Sequence, residues 1–225
     1  MLASHGRPIV TDAQRKPITV LLVDDHAVVR EGYRRLLERD DALWVVGEAA
    51  DAADAIRHDA ELQPDVIVLD IALPGVSGIE CLRRIIAHRP DACVLMFSMY
   101  QDGIYASRAI NAGARGYLSK ASAPDLLVEA VRTVAGGERY LSPDVERAMT
   151  RQSPAGQLAG ALSARELEVL RLLAQGYGVD QIGERLGLSR KTAANHQTSI
   201  KQKLGATSAL QLILVAQQLG LSSDQ

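Results

Sequence analysis

Apolar and polar positions alternate with two different periods along this chain. Between residues 18 and 135, short apolar runs predict five strands, at 18–24, 44–47, 65–70, 92–97 and 115–118. Longer amphipathic stretches predict five helices, near 28–38, 52–62, 79–88, 103–111 and 124–134. Strands that alternate with helices in this way are typical of an α/β domain with a five-stranded, parallel, doubly wound sheet.

A purely helical pattern begins at about residue 161. Ser163 and Glu166 fit a capping box at the start of a first helix, which Gly176 ends. Three more helices are predicted, over about 179–186, 189–204 and 208–219. Two helices joined by a short glycine-containing turn, here at Gly187, are typical of a helix-turn-helix. The pattern therefore predicts a small all-α domain of four helices.

The remaining segments lack a sustained period. Residues 1–17 mix charged and polar residues and predict a flexible tail. Residues 136–160 start with two glycines and contain two prolines, which predicts a linker with a short helix near 144–151. The predicted organisation is thus a tail over 1–17, an α/β domain over 18–135, a linker over 136–160 and a helical domain over 161–225.

Composition indicates a cytoplasmic protein. The 225 residues are 47% hydrophobic, and the only long stretch without charge, 204–223, is interrupted by glutamines and serines. We therefore predict no signal peptide and no membrane span. The two cysteines, Cys81 and Cys93, lack the spacing of a metal site and suit a reducing compartment.

The net charge of −2 conceals a gradient along the chain. From residue 161 onward seven Lys or Arg residues face five Asp or Glu residues, a balance of +2, which leaves −4 for the remainder. Residues 189–204 contain four basic residues and no acidic one. This concentration of positive charge favours a nucleic-acid partner for the helical domain.

Carboxylates follow two of the predicted strands. Asp24 and Asp25 end the first strand, and Asp70 ends the third. Because ligands bind beyond the carboxyl ends of parallel strands, we expect the three side chains to meet at one edge of the sheet. Two such charges about 4 Å apart repel by roughly 4 kcal/mol at an effective dielectric of about 20, so the cluster requires a cation. Oxygen ligands alone favour Mg²⁺.

Two further polar residues are expected at the same edge. Lys120 follows the fifth strand and Ser98 the fourth, where they could contact phosphate oxygens. The set predicts a phosphoryl-transfer pocket in which a carboxylate acts as nucleophile.

This arrangement resembles the receiver domain of bacterial two-component response regulators. The resemblance rests on Asp24-Asp25, on Asp70 with Pro74 and Gly78 after it, on Ser98, and on the run from Gly116 to Lys120. It implies that a sensor histidine kinase phosphorylates Asp70, with Lys120 and Ser98 on the phosphoryl oxygens. It also implies Mg²⁺ held by Asp25, Asp70 and the carbonyl of Ala72, with Asp24 acting through water. Tyr117 would rotate inward when Ser98 moves.

Simpler interpretations of some of these residues stay open. Ser98 could be a packing residue, and Tyr117 a half-buried strand aromatic. His26, beside the acidic pair, is expected to be a helix-start residue rather than a catalytic base.

The third helix of the helical domain has two faces. A buried stripe is predicted from Ala193, His196, Ile200 and Leu204. The opposite face would reach DNA phosphates and base edges through Arg190, Lys191, Ala194, Asn195, Thr198 and Lys201. A solvated basic face that binds nothing is the alternative, and His196 is expected to be packed rather than to contact DNA.

The helical domain resembles the DNA-binding domain of the NarL/FixJ (LuxR-type) regulators. The matching residues are 162–170, Ile182, 186–189, Lys191-Thr192, His196 and 203–205. Ala193 and Ala194 stand where valine and lysine are common in the family. Recognition is thus expected to be less basic than usual, with Asn195 as a candidate base reader.

The last helix is apolar on two sides. We expect Ala209, Leu212, Ile213 and Ala216 to cover the domain core, while Leu210 and Leu214 point away. We hypothesise that the outward leucines pair two copies on a roughly palindromic DNA site, although the receiver domain could also supply the dimer contact.

These features predict a phosphorylation-switched transcription regulator that is not an enzyme. A sensor histidine kinase, promoter DNA and a second copy of the chain are the expected partners, with RNA polymerase as a further candidate. One alternative is a regulator that binds DNA irrespective of phosphorylation. The other is an aspartyl phosphatase, although the position of its second aspartate is occupied by Ala72.

Overall fold

The computed structural model describes residues 16–122, 124–150, 160–219 and 221. Its first part is a parallel sheet with strand order β2-β1-β3-β4-β5-β6. The strands are β1 Ile18–Val23, β2 Leu43–Ala49, β3 Val66–Leu69, β4 Val94–Ser98, β5 Gly116–Ser119 and β6 Tyr140–Leu141. The doubly wound sheet is confirmed.

Helices cover both faces of the sheet, as the alternating pattern predicts. They are α1 Ala27–Leu37, α2 Ala52–Leu62, α3 Gly78–His88, α4 Gly103–Asn111 and α5 Asp125–Ala135. α1 and α5 pack with one face of the sheet, and α2, α3 and α4 pack with the other. The residues of β3 and β4 are buried throughout because these central strands lie between the two helical layers.

The prediction of five strands and an irregular linker was incomplete. β6 is a sixth strand of two residues that pairs with β5, where Gly116 lies opposite Tyr140. A strand this short leaves no periodic signal, and only its backbone pairing defines it. Helix α6, Pro143–Thr150, follows where a short helix was expected and packs against α4.

The second part of the chain consists of the four predicted helices. They are α7 Ala164–Ala174, α8 Val179–Leu186, α9 Arg190–Leu204 and α10 Ala209–Gln218. The capping box is confirmed: the Ser163 hydroxyl accepts the Glu166 N–H at 3.2 Å, and the Glu166 carboxylate accepts the Ser163 N–H at 2.6 Å. Gly187 ends α8 with a φ of +62°, a conformation that suits glycine.

α7 is the central helix of the helical part, and both α9 and α10 pack against it. Leu212 and Ala216 of α10 are buried there as expected, and Leu210 and Leu214 are 66% and 51% exposed. Ala209 was wrongly expected to cover the core: it is exposed, because it is the first residue of α10 and lies beyond the contact with α7. Every helix in the described ranges is too short or too polar to span a lipid bilayer.

Candidate phosphoryl-acceptor site and DNA-binding face

The structure brings the predicted acidic residues and the lysine together at the carboxyl edge of the sheet. Asp24 follows β1, Asp70 follows β3 and Lys120 follows β5. The Lys120 ammonium lies 2.6 Å from Asp70 Oδ2 and also contacts Asp24. All three side chains are nearly inaccessible to water. One ammonium therefore balances two buried carboxylates.

The pKa values of the pocket reflect this crowding. Burial lowers the pKa of Lys120, but the opposite charges of Asp70 and Asp24 raise it by a larger amount. The net shift of the pKa is therefore upward, and the amine stays charged. Asp25 is more exposed, and burial followed by the charges of Asp24 and Asp70 raises its pKa, against the opposing effect of His26. A divalent cation would relieve the repulsion that raises the pKa of Asp25.

The oxygen atoms at the end of β1 fit a hard cation. The ligand atoms of Asp24, Asp25 and His26 lie within 4.8 Å of one another. Carboxylate oxygens, the Ala72 carbonyl and water form the kind of ligand set that Mg²⁺ uses in phosphate sites. His26 occupies the N-cap position of α1, as expected, and its Nδ1 lies 2.7 Å from Asp25 Oδ1.

The loop after Asp70 is held by its own backbone. The Ala72 N–H donates to Asp70 Oδ1 at 3.3 Å, and the Gly78 N–H donates to the Ile71 carbonyl at 2.8 Å. A Cβ atom at Gly78 would overlap the backbone carbonyl of Asp70. Gly78 is therefore required for the close return of the chain to its start, and it is not an ordinary loop glycine.

Ser98 and Tyr117 lie beneath the same edge. Ser98 is buried at the end of β4, and its hydroxyl accepts the Tyr100 N–H at 3.4 Å. Tyr117 is fully buried, which differs from a half-buried strand aromatic, and its hydroxyl donates to the Tyr100 carbonyl at 2.5 Å. Ser98 and Tyr117 thus meet at the backbone of Tyr100.

The sequence reasoning missed Arg30. Its guanidinium donates to the backbone carbonyl of Asp24, while its Nε lies 3.1 Å from Glu48 Oε2 on β2. The Arg34 Nε contacts the other Glu48 oxygen at 2.6 Å. Arg30 thus positions the acidic loop from behind. The sequence shows only that an arginine lies one turn into α1. In the structure the side chain of this arginine is largely buried.

On α9, the predicted buried stripe and polar face are both present. Ala193 and Ile200 are buried, and His196 and Leu204 are partly buried. On the other side Lys191, Asn195 and Thr198 are exposed, while Ala194 and Lys201 are partly exposed. Arg190 is exposed at the helix start, where its Nε lies 3.0 Å from Asp180. The six predicted DNA contacts therefore share one accessible surface.

One basic residue of the helix has a structural role. The Lys203 ammonium lies 2.7 Å from Glu166 Oε2, and the Ser199 hydroxyl donates to the other oxygen at 2.6 Å. Burial tends to raise the pKa of Glu166, but hydrogen bonds from Lys203, Ser199 and Ser163 lower it to about 2. Lys203 therefore ties α9 to α7.

Two family descriptions match the two parts of the chain. Residues 20–132 match the "Response regulator receiver domain", and residues 160–216 match "Bacterial regulatory proteins, luxR family". The receiver match covers half of the chain. The chain therefore belongs to the response regulators with a receiver domain and a LuxR-type DNA-binding domain, and it is a phosphorylation-regulated, DNA-binding transcription regulator.

Characterised relatives extend over nearly the whole chain. Response regulator GacA of Pseudomonas aeruginosa is 34% identical over 208 residues, covering 91% of this chain and 97% of its own. Response regulator UvrY of Escherichia coli is 35% identical over 212 residues, with 92% and 97% covered. Oxygen regulatory protein NreC of Staphylococcus carnosus is 37% identical over 204 residues, with 86% and 94% covered. These relatives therefore align with both parts of the chain over nearly their full length.

Solved structures agree. The RcsB response regulator of Salmonella typhimurium superposes with a TM-score of 0.59 at 28% identity, covering 91% of this chain and all of its own. A structure of two RcsB dimers bound to two parallel DNAs gives 0.58 at 28% identity, with 89% and 98% covered. The family consists of transcription regulators rather than classical enzymes, and its receiver domains typically bind Mg²⁺ at the phosphorylation site.

We predict that Gly78→Ala destabilises the α/β domain. The new methyl group must displace the Asp70 backbone, and overpacking of this kind costs about 1–3 kcal/mol. Thermal unfolding followed by circular dichroism should show a lowered midpoint. The matched control is Gly32→Ala in α1, where the added Cβ meets no atom within 4 Å and alanine favours the helix. Equal midpoints for the two variants would show that the loop tolerates a side chain at position 78.

Proposed function

We propose that Asp70 is the phosphoryl acceptor of this regulator and that a sensor histidine kinase is the donor. The observation that carries the proposal is the Lys120 ammonium held between Asp70 and Asp24 in a water-poor notch. An Asp70 oxygen would form a bond to phosphorus while the bond from phosphorus to the donor nitrogen breaks and the donor imidazole recovers a proton. The Ala72 N–H donates to Asp70 Oδ1 and would orient the carboxylate for attack.

The residues of the notch would share the charge that develops. Lys120 supplies an ammonium to a phosphoryl oxygen, and the Ser98 hydroxyl supplies a neutral donor. Asp24, Asp25, Asp70 and the Ala72 carbonyl would hold Mg²⁺, which when bound neutralises the phosphate oxygens. Arg30 would keep the Asp24 backbone in place while the side chains change partners.

A physical path leads from this notch to the DNA-binding domain. The hydroxyl of Tyr117 holds the carbonyl of Tyr100, and the Arg171 guanidinium of α7 lies 4.6 Å from the centre of the Tyr100 ring. Arg171 also forms an ion pair with Asp102 at the start of α4. Movement of Ser98 and Tyr117 toward a phosphorylated Asp70 would therefore change how α7 packs against the α/β domain. Phosphorylation shifts the arrangement only by the difference in its interaction with the two states.

The accessible face of α9 would lie in the major groove of promoter DNA. Arg190, Lys191 and Lys201 would contact phosphates, and Asn195 and Thr198 would reach base edges. Ala194 would leave room for close approach or contact a thymine methyl group. Two copies would pair through Leu210 and Leu214 of α10 and present their α9 helices to two half-sites. RNA polymerase is a further candidate partner of the DNA-bound dimer.

Phosphorylation at Asp70 predicts one covalent adduct per chain. Treatment with a small acyl phosphate and Mg²⁺ should add one phosphoryl group, measured by intact-mass spectrometry, and chelation of the metal should prevent it. Asp70→Ala should gain none, whereas Asp91→Ala, which removes an exposed carboxylate, should behave as the wild type. An adduct that persists in Asp70→Ala would place the acceptor elsewhere. Equal promoter affinity with and without the adduct would favour the phosphorylation-independent regulator.

For DNA binding, Lys191→Ala should weaken affinity for all duplex sequences. If Lys191 contacts a phosphate, the slope of log K against log salt should fall by about 0.9 in fluorescence-anisotropy titrations. Arg147→Ala in α6 removes the same charge from an exposed position of the other domain and should leave both quantities unchanged. A loss confined to particular base pairs would instead assign Lys191 to base recognition.

For dimer formation, the double variant Leu210→Ser/Leu214→Ser should bind a palindromic site with lower cooperativity. Both side chains are largely exposed in the described structure, so their removal should spare the fold. Sedimentation of the DNA complex should give one protein copy where the wild type gives two. Trp44→Ser, which removes an exposed apolar side chain from β2, is the control. Two bound copies of the double variant would move the dimer contact to the receiver domain.

A further inference from the structure

The helical domain is seated on the loop that follows the phosphoryl acceptor. The Arg165 guanidinium of α7 donates to the Leu73 carbonyl at 3.0 Å, and the Gly75 N–H donates to the Leu186 carbonyl at 3.1 Å. Just before the start of α7, the Leu162 carbonyl accepts a hydrogen bond from Arg108 of α4 at 2.7 Å. The contact thus joins the domains through backbone groups on both partners.

A fully buried carboxyl group lies within this contact. Glu168 of α7 is 0% exposed, and its Oε2 accepts a hydrogen bond from Arg165 at 2.6 Å. In the described part of the chain its Oε1 has no hydrogen-bond partner, and the same is true of the Ser77 hydroxyl and the Tyr105 hydroxyl, both from the α/β domain. A buried carboxylate with one bare oxygen is unfavourable. A protonated carboxyl lowers that cost because it carries no charge and can donate to a neighbouring hydroxyl.

We propose that Glu168 is a proton-dependent latch between the two domains, closed when its carboxyl is protonated and weakened when it ionises. The latch goes beyond phosphorylation, since it concerns the protonation of the domain contact in the unphosphorylated chain.

Polar and charged groups from both domains surround Glu168. Arg165, and farther along the same helix Arg171, supply positive charge from α7 itself. The α/β domain supplies Ser77 before α3, Asp70 at the sheet edge, and Tyr100 and Tyr105 on the α4 side. Positive charge therefore comes from α7, whereas hydroxyl groups and a negative charge come from the opposite domain.

Burial dominates the titration of this group. Burial and the charge of Asp70 raise the pKa of Glu168, the charge of Arg165 lowers it, and the net result is a pKa of about 7. In separated domains Ser77 and Asp70 no longer face the carboxyl, and water does, so its pKa returns toward the ordinary 4.5.

The sign of the pH dependence follows from these two values. The pKa of Glu168 is higher in the closed state than in the open state. The stabilisation that its carboxyl gives to the closed state is therefore fully present below about pH 4.5 and is lost as the pH rises through about 7. Between pH 5.5 and 7.5 the ratio of closed to open molecules should fall roughly twentyfold. His196 titrates below its usual range, because its burial lowers its pKa.

Small-angle X-ray scattering of the full-length, unphosphorylated chain at pH 5.5 and 7.5 tests the latch. The wild type should be compact at the lower pH and expand at the higher one. Glu168→Gln keeps the shape of the protonated carboxyl and should be compact at both. Glu184→Gln removes an exposed carboxylate from the same domain and should expand as the wild type does. Arg171→Ala, which breaks the contacts with Asp102 and Tyr100, supplies the open reference at both pH values.

Two results would overturn the latch. One is a wild-type radius of gyration that stays the same across the pH range. The other is a Glu168→Gln protein that expands in parallel with the wild type, which would assign the effect to a histidine. Should Glu168→Gln fail to fold, hydrogen exchange of α7 in the wild type provides the second measurement. Protection of α7 that falls between pH 5.5 and 7.5, after correction for intrinsic exchange, supports the latch, and constant protection contradicts it.

Discussion

Charge balance at the carboxyl edge of the sheet is the constraint on which the rest of the structure depends. The parallel strands deliver Asp24 and Asp70 to one buried notch, where two carboxylates without a cation would repel by several kcal/mol. The Lys120 ammonium removes that cost by contacting both. Its position in turn requires β5 to lie where the Lys120 N–H donates to the Ser98 carbonyl at 2.9 Å. The order of the strands therefore determines the chemistry of the notch.

The loop over residues 70–78 serves two neighbours at once. Its first residues carry the Asp70 carboxylate, which we propose as the acceptor, and the Ala72 carbonyl. The Leu73 carbonyl and the Gly75 N–H form hydrogen bonds with the helical domain. Gly78 closes the loop so tightly against Asp70 that a Cβ atom at position 78 would overlap the Asp70 carbonyl. The buried Tyr105 and the partly buried Tyr100 stack with ring centres 4.5 Å apart and provide a second connection toward α7. Asp70 and the interface with the DNA-binding domain are thus connected by contiguous contacts.

Much of this organisation could be predicted from the sequence, because its signals are local. Strand runs, amphipathic helices, the Ser163 cap and the aspartates at strand ends each depend on a few neighbouring residues. The rest depends on contacts between distant segments. The residues near Arg30 in the sequence do not indicate that its guanidinium donates to the Asp24 carbonyl. The two-residue strand β6 is defined only by its pairing with β5. Glu168 has the spacing of a helix-surface residue paired with Arg165, yet in the folded chain it is completely buried.

The magnitudes of the interdomain contacts suit a switch. A guanidinium over an aromatic ring contributes about 0.5–2 kcal/mol, and a partly exposed ion pair such as that of Arg171 with Asp102 contributes about 0–1 kcal/mol. Apolar side chains of both domains also form one contiguous cluster, so these directional contacts supply only part of the stability of the closed state. A phosphoryl group adds about −1.5 to −2 charges beside Lys120, and each 1.4 kcal/mol of differential stabilisation changes the ratio of states about tenfold. A single covalent modification can therefore shift the arrangement of the domains, provided that it stabilises the open state over the closed state by a few kcal/mol.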